Sequence, residues 1–277
     1  MAQATRSSGM RTASAEGGAM RMLLVSVQLY LRRGNIMRNS ILKLASMSVA
    51  MSALAISVPA FAQEEGAAEA SSPITVTGGV AGVSDYRFRG VSLSDTDFAV
   101  QPYVTVKHES GLYVGAWGSN LAENAGDDVE VDLYAGFAGG DSVTYDIGAT
   151  YYVYPGVSSL NYIEFTGKLG STVGPANLGL QLSYAPSQDN TGNSDNVYVA
   201  SSASVAVPNT PISIVGSVGL EDGAFSAGSQ KLDWSLGLTA AVAGFTVGAS
   251  YVDTNRQTTF AFKDSAAGIV FSISYGF

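Results

Sequence analysis

A chain of 277 residues with 46% hydrophobic side chains but only 13% charged ones is short of the ionic surface that keeps a soluble domain dispersed. Half of its 14 Lys and Arg fall in the first 62 positions beside a single acid, Glu16, so the remainder is strongly acidic and has no basic patch to offer nucleic acid. The absence of Cys is compatible with export to a compartment where free thiols are a liability.

Residues 1–36 precede a natural start at Met37 and read as an over-extended N-terminus, not a domain. Residues 37–62 have the three parts of a cleavable secretory signal. Arg38 and Lys43 make the basic start, Leu44 to Val58 the uncharged apolar run, and Ala60-Phe-Ala62 the small-x-small cleavage site. An uncleaved anchor helix is the alternative, since the run is nearly long enough to span; its many Ala and Ser and the cleavage site favour removal. Residues 63–73 form a short acidic lead-in of flexible composition.

From residue 74 the period of hydrophobicity changes to two and stays there. Strands are expected near 74–89, 98–108, 111–119, 129–139, 142–153, 160–170, 177–185, 196–206, 211–220, 231–242, 244–252 and 267–277, each close to the length a tilted strand needs to cross a bilayer. The connections alternate in length. Those at 90–97, 120–128, 154–159, 186–195, 221–230 and 253–266 are mostly long and polar, and those between them mostly tight. A soluble sandwich has no reason to put its long loops on every second connection, whereas an outer-membrane barrel has short turns on one side and longer loops on the other. The fold class is therefore all-β, a single antiparallel transmembrane β-barrel of about 12 strands over residues 74–277, in the bacterial outer membrane after cleavage of the signal peptide.

The two faces of the strands separate. One register holds Val129, Val131, Leu133, Ala135 and Phe137, then Val143, Tyr145, Ile147, Ala149 and Tyr151, then Leu232, Trp234, Leu236, Leu238 and Ala240, with no charge among them. The other holds Glu130, Asp132, Asp146 and Asp233 among small polar residues. A charge facing lipid at mid-depth costs about 2–4 kcal/mol, so the charged register faces inward. Phe137, Tyr145, Phe245, Tyr275 and Phe277 then form one interfacial aromatic girdle, and Tyr86, Phe88 and Tyr251 belong to the other. The final segment, Ile269, Phe271, Ile273, Tyr275 and Phe277 at every second position, resembles the C-terminal strand by which outer-membrane proteins are recognised by the barrel-assembly machinery. Pro102 sits inside the second strand, where its missing N–H predicts a bulge or a locally poor pairing.

The lumen carries the candidate chemistry. If Tyr86 and Phe88 face lipid, Asp85, Arg87 and Arg89 project inward toward Glu130, Asp132, Asp146 and Glu164, with Lys168 on the same face. Such a transverse field filters small polar solutes, and charge pairs are a usual basis of pore selectivity. The same residues also suit a set of ion pairs that plug and stiffen a narrow barrel. Val83-Ser-Asp-Tyr-Arg-Phe-Arg-Gly-Val-Ser-Leu-Ser94 and His108-Glu-Ser-Gly-Leu-Tyr-Val-Gly-Ala-Trp-Gly-Ser-Asn120 resemble the TorF family of porins, bacterial outer-membrane proteins of unknown function. The resemblance implies an outer-membrane barrel acting as a channel and supplies neither substrate nor binding residues.

An enzyme is the rival class, on the pattern of a membrane phospholipase with a Ser/His pair near the lipid boundary. The sole histidine, His108, lies beside an expected periplasmic turn without an evident serine partner, so no catalytic residue is assigned. One His, no Cys and an acidic run at Glu123, Asp127, Asp128 and Glu130 without calcium-loop spacing give no metal site, and no cofactor is called for. The expected function is passive diffusion of small hydrophilic solutes through a charged lumen, with membrane lipid and those solutes as partners. The alternative is a closed structural or adhesin-type barrel working through its long loops.

Overall fold

The computed structural model describes residues 72–124, 127–226, 228–255 and 266–277. The expected N-terminal extension, the signal peptide and nearly all of the acidic lead-in lie outside the described residues. Alternation of apolar and polar side chains, broken by tight turns, produces β1 (Ile74–Val83), β4 (Ala99–His108), β5 (Leu112–Asn124), β6 (Asp127–Gly140), β7 (Val143–Val153), β8 (Tyr162–Val173), β9 (Ala176–Ala185), β10 (Asn196–Ala206), β11 (Ile212–Gly223), β12 (Lys231–Val242), β13 (Phe245–Thr254) and β14 (Gly268–Gly276). Each pairs antiparallel with its neighbour, and β1 also pairs with β14, so the sheet closes into a barrel of twelve strands. Two further strands of two residues, β2 (Arg87–Phe88) and β3 (Val91–Ser92), form a separate hairpin.

Closure leaves no free sheet edge, which is what allows strands to cross a bilayer. The seam is short. It spans five Cα pairs from Gly79↔Gly276 to Val83↔Ser272 and is extended by mutual backbone hydrogen bonds between Gly78 and Phe277 at 2.8 and 2.9 Å. The outward register is the one expected. Leu133, Phe137, Ile147, Tyr151, Leu236, Leu238, Phe271 and Ile273 all stand exposed, which in water would be a large unfavourable apolar surface. Ring pairs reinforce the outer bands at each end: Phe137–Tyr145 at 6.0 Å, Phe245–Tyr275 at 5.4 Å and Trp234–Tyr251 at 5.1 Å. The buried polar residues, Glu130, Glu164, Glu221, Asn196 and Ser183 among them, lie on the inner face.

Turn chemistry fixes one end. Between Val242 and Phe245 the chain reverses in two residues, Ala243 (φ 51) and Gly244 (φ 84), both in the left-handed region that a two-residue hairpin compatible with strand twist requires. Pro102 has the expected effect on one side only. The β1–β4 ladder runs through Val80↔Pro102, but the β4–β5 ladder stops at Tyr103↔Trp117. Beyond it the Asn120 side chain replaces the missing rungs, accepting from Val100 N at 2.7 Å and donating to Phe98 O at 3.0 Å.

Two expected boundaries are corrected. The first strand stops at Val83 instead of reaching 89, because Ser84 exchanges its last bonds with Phe271 and the chain then leaves the wall. The loop expected at 120–128 shrinks, since β5 and β6 continue to Asn124 and Asp127 with a register shift after Asn120.

Candidate functional site: a hairpin folded into the lumen

Residues 84–98 connect β1 to β4 by way of the barrel interior. Asp85 is the organising acid of this segment. It accepts from the hydroxyl of Ser92 at 2.6 Å and of Ser94 at 3.4 Å, and pairs with Arg87 Nε at 2.5 Å. Tyr86 N donates to Ser94 Oγ at 2.8 Å, Leu93 N to Tyr86 O at 2.7 Å, and Ala122 N to Leu93 O at 2.9 Å, which fastens the hairpin to β5. Its tip is Arg89-Gly90, with φ of 50 and 84. Gly90 leaves no room for a side chain, since a Cβ there would stand 2.9 Å from Asp233 Cβ and 2.8 Å from Thr254 Cβ.

Tyr86 and Phe88 are therefore not lipid-facing aromatics. Tyr86 is 8% exposed in an interior cluster with Val91, Leu93, Ala99 and Leu121, and Phe88 packs against that cluster. Tyr86 packs with its ring tilted against the inward-facing Trp117 at 5.4 Å, and Phe88 meets Tyr152 at 6.1 Å. Their alternation belongs to a hairpin that turns its apolar side to the lumen wall. Tyr152, Tyr162 and Phe225 continue the aromatic lining at 4.4 and 5.0 Å.

Arg89 reaches across the interior. Its Nη2 donates to both carboxylate oxygens of Glu164 at 2.6 and 2.7 Å, and its Nη1 to Glu221 Oε1 at 2.6 Å. The guanidinium lies 4.2 Å from the ring centroid of Tyr198 and 4.7 Å from that of Phe88. Glu221 also pairs with Lys231 at 2.5 Å and accepts from Asn196 Nδ2 at 3.0 Å. Charges this deeply enclosed persist only when paired and hydrogen-bonded, and here Arg89 has two carboxylates and two aromatic rings around it. Glu130 and Asp132 line the wall below Tyr86, whose hydroxyl is 3.4 Å from Glu130. Among the described residues neither acid makes an ion pair, and Glu130 Oε2 and Asp132 Oδ1 are buried without a hydrogen-bond partner.

The opposite half of the lumen is different. Asp146 accepts from Tyr113 OH at 2.8 Å, Lys168 is exposed on the adjacent strand opposite it, and a recess of about 480 Å³ opens beside Asp141, Thr144, Gly170 and Asn177. Thus Asp85, Arg87, Arg89, Glu130, Asp132 and Glu164 gather at the loop end, and Asp146 and Lys168 lie apart from them toward the turns. Sequence reading missed Glu221, Lys231, Asn196 and Tyr198. Glu221 falls in the loop expected at 221–230, although the inward positions Ser217 and Gly219 lead to it by the same period of two. The His108 ring, for which no serine partner is expected, bonds the hydroxyl of Ser110 in its own turn at 2.8 Å, and no group of three or more metal-ligating side chains comes together among the described residues.

A family model described as a bacterial protein of unknown function (Gcw_chp) matches residues 67–274. The chain belongs to the Gcw_chp family. No curated protein sequence matches it. Among solved structures, this Gcw_chp barrel is similar to the NanC porin, with a TM-score of 0.50 and 12% identity over 71% of this chain and 97% of that one. It is similar to the KdgM porin at the same TM-score, with 8% identity over 73% of this chain and 99% of that one. At these identities the likeness is one of fold, a porin-type barrel of full porin length.

Proposed function

We propose that this Gcw_chp protein spans the bacterial outer membrane, turns toward the periplasm and long loops outward, and serves as a porin-like channel for small hydrophilic solutes. One observation carries the reading: a closed sheet exposes apolar side chains around its outside and encloses its ionic ones. Lipid is the solvent that suits such an exterior, and a polar path is the use that suits such an interior. The TorF-family resemblance points the same way. The reading takes residues 37–62 as a signal removed on export and the strand ending in Phe277 as the handle for the barrel-assembly machinery. Selectivity falls to Asp85, Arg87, Arg89, Glu130, Asp132, Asp146, Glu164 and Lys168, and no residue is assigned a catalytic role.

A specific observation favours a second reading. Residues 84–98 fill the loop-end half of the lumen, as a closed barrel acting through its loops would require. Planar-bilayer recording decides between them. The channel reading expects discrete conductance steps from the wild type, or from Arg89→Ala, in which the fill has lost its main anchor. No current above background from either protein removes the channel and leaves the closed barrel.

A further inference from the structure

We propose that Glu164, Glu221 and the ring of Tyr198 form a binding site for a small planar organic cation of the guanidinium class, a site that Arg89 occupies from within the same chain. The role of that site in selecting a solute rests on the channel reading; its chemistry does not.

The argument begins with the occupant. Three carboxylate oxygens, two from Glu164 and one from Glu221, surround one guanidinium at 2.6 to 2.7 Å, and an aromatic ring lies 4.2 Å from its carbon. These groups come from β8, β10 and β11, strands of the wall itself, so the receptor side of the contact is set by the barrel and not by the hairpin. Glu164 and Glu221 are 2% and 1% exposed and Tyr198 is 5% exposed. The pattern is selective. A planar fork with five donors and a π face satisfies three acceptors and a ring together, whereas an ammonium is a point charge and a hydrated alkali ion has no face to stack.

Charge balance says what remains when the occupant leaves. Glu221 keeps Lys231 at 2.5 Å, and among the described residues Glu164 keeps only the hydroxyl of Tyr152, 3.5 Å away. Withdrawal of Arg89 therefore leaves one enclosed negative charge unmatched, with its acceptors already gathered around one point. A buried carboxylate in that state needs a cation or a proton. The occupant, by contrast, rides on the smallest sheet of the described residues, two strands of two residues each. Tethering keeps its effective concentration high, so a free cation competes poorly while Arg89 is present.

The test uses the full chain in detergent micelles, with Arg89→Ala vacating the site. Guanidinium chloride is the probe, urea the neutral planar control and sodium chloride the ionic control. The expected result is thermal stabilisation of Arg89→Ala by guanidinium at low concentration, not reproduced by urea or sodium. The wild type should need at least roughly tenfold more probe, because its own arginine is tethered at millimolar or higher effective concentration. Adding Glu164→Gln to Arg89→Ala should abolish the response. An equal response to all three solutes, or one that survives Glu164→Gln, overturns the proposal. If Arg89→Ala does not fold alone, refolding is the readout: sheet circular dichroism recovered by guanidinium but not by urea supports the site, and no recovery overturns it. In bilayers, guanidinium should block Arg89→Ala currents. Probe binding by Arg89→Ala when neither it nor the wild type conducts would support the cation site and overturn the channel.

Discussion

The two halves of this lumen are walled by the same strands and filled in opposite ways. Toward the loops, Arg89, Glu164, Glu221 and Lys231 are all but sealed from solvent and tied to one another by bonds of 2.5 to 2.7 Å. Toward the turns, Asp146 has one tyrosine hydroxyl, Lys168 stands exposed, and small residues leave a recess. The wall supplies the acids and Lys231 at the loop end, and one connection, residues 84–98, turns inward to bring Arg89 to them, with Tyr154 and Phe225 of two other connections packed beside it. A barrel of twelve strands is intermediate between those that side chains alone can fill and those that leave a water path. Here a hairpin makes up the deficit at one end.

The contrast can be broken at its strongest point first. Glu221→Gln removes the carboxylate shared by Arg89 and Lys231 and leaves buried positive charge, so urea unfolding in lipid vesicles should show a loss of about 3–5 kcal/mol. Asp146→Asn at the other end should cost less than about 1 kcal/mol in the same assay, and equal costs would erase the distinction between the halves. Next, Leu236→Arg places a charge on the outer face near mid-strand and should cost about 2–4 kcal/mol in vesicles; no cost there would place that face away from lipid. Gly219→Ala forces a methyl group into the Tyr198 hydroxyl and ring and should destabilise by about 1–3 kcal/mol. Gly170→Ala meets only the Thr144 hydroxyl, at 2.7 Å, which can rotate away, and should cost visibly less by the same titration. A small effect, about 0.5–1.5 kcal/mol, is expected from Tyr113→Phe, which loses one hydrogen bond in the open half. The two tryptophans sharpen all of these. Trp234 lies on the outer face and should be quenched by brominated lipid, while Trp117, packed against Tyr86 inside, should not.

Most of the wall was legible because a strand has only two faces and lipid forbids charge on one of them. Leu133 and Asp132, or Leu236 and Asp233, declare their sides by type alone. What alternation could not reveal is whether an alternating stretch belongs to the wall. Asp85, Tyr86, Arg87 and Phe88 alternate as well as any strand, so alternation alone extends β1 through them and turns their aromatics to the lipid. The signal against that was local: Arg89-Gly90 as a two-residue turn, with Asp85 facing Ser92 and Ser94 across it. Glu221 was lost for a different reason. A cluster of acid and glycine looks like a loop until its partner Arg89, 132 positions away in sequence, is placed beside it.

The seam of the cylinder has a consequence for biogenesis. Gly78 and Phe277 hold each other's backbone groups, so the two margins that must meet are separated by nearly the whole described chain. Every other neighbour contact joins strands that are consecutive in the wall and can form as a growing curl. This one must await the arrival of β14 and bears the largest loop-closure entropy of any pairing in the ring. Maturation should accordingly stall, when it stalls, as an open curl with β1 and β14 unjoined.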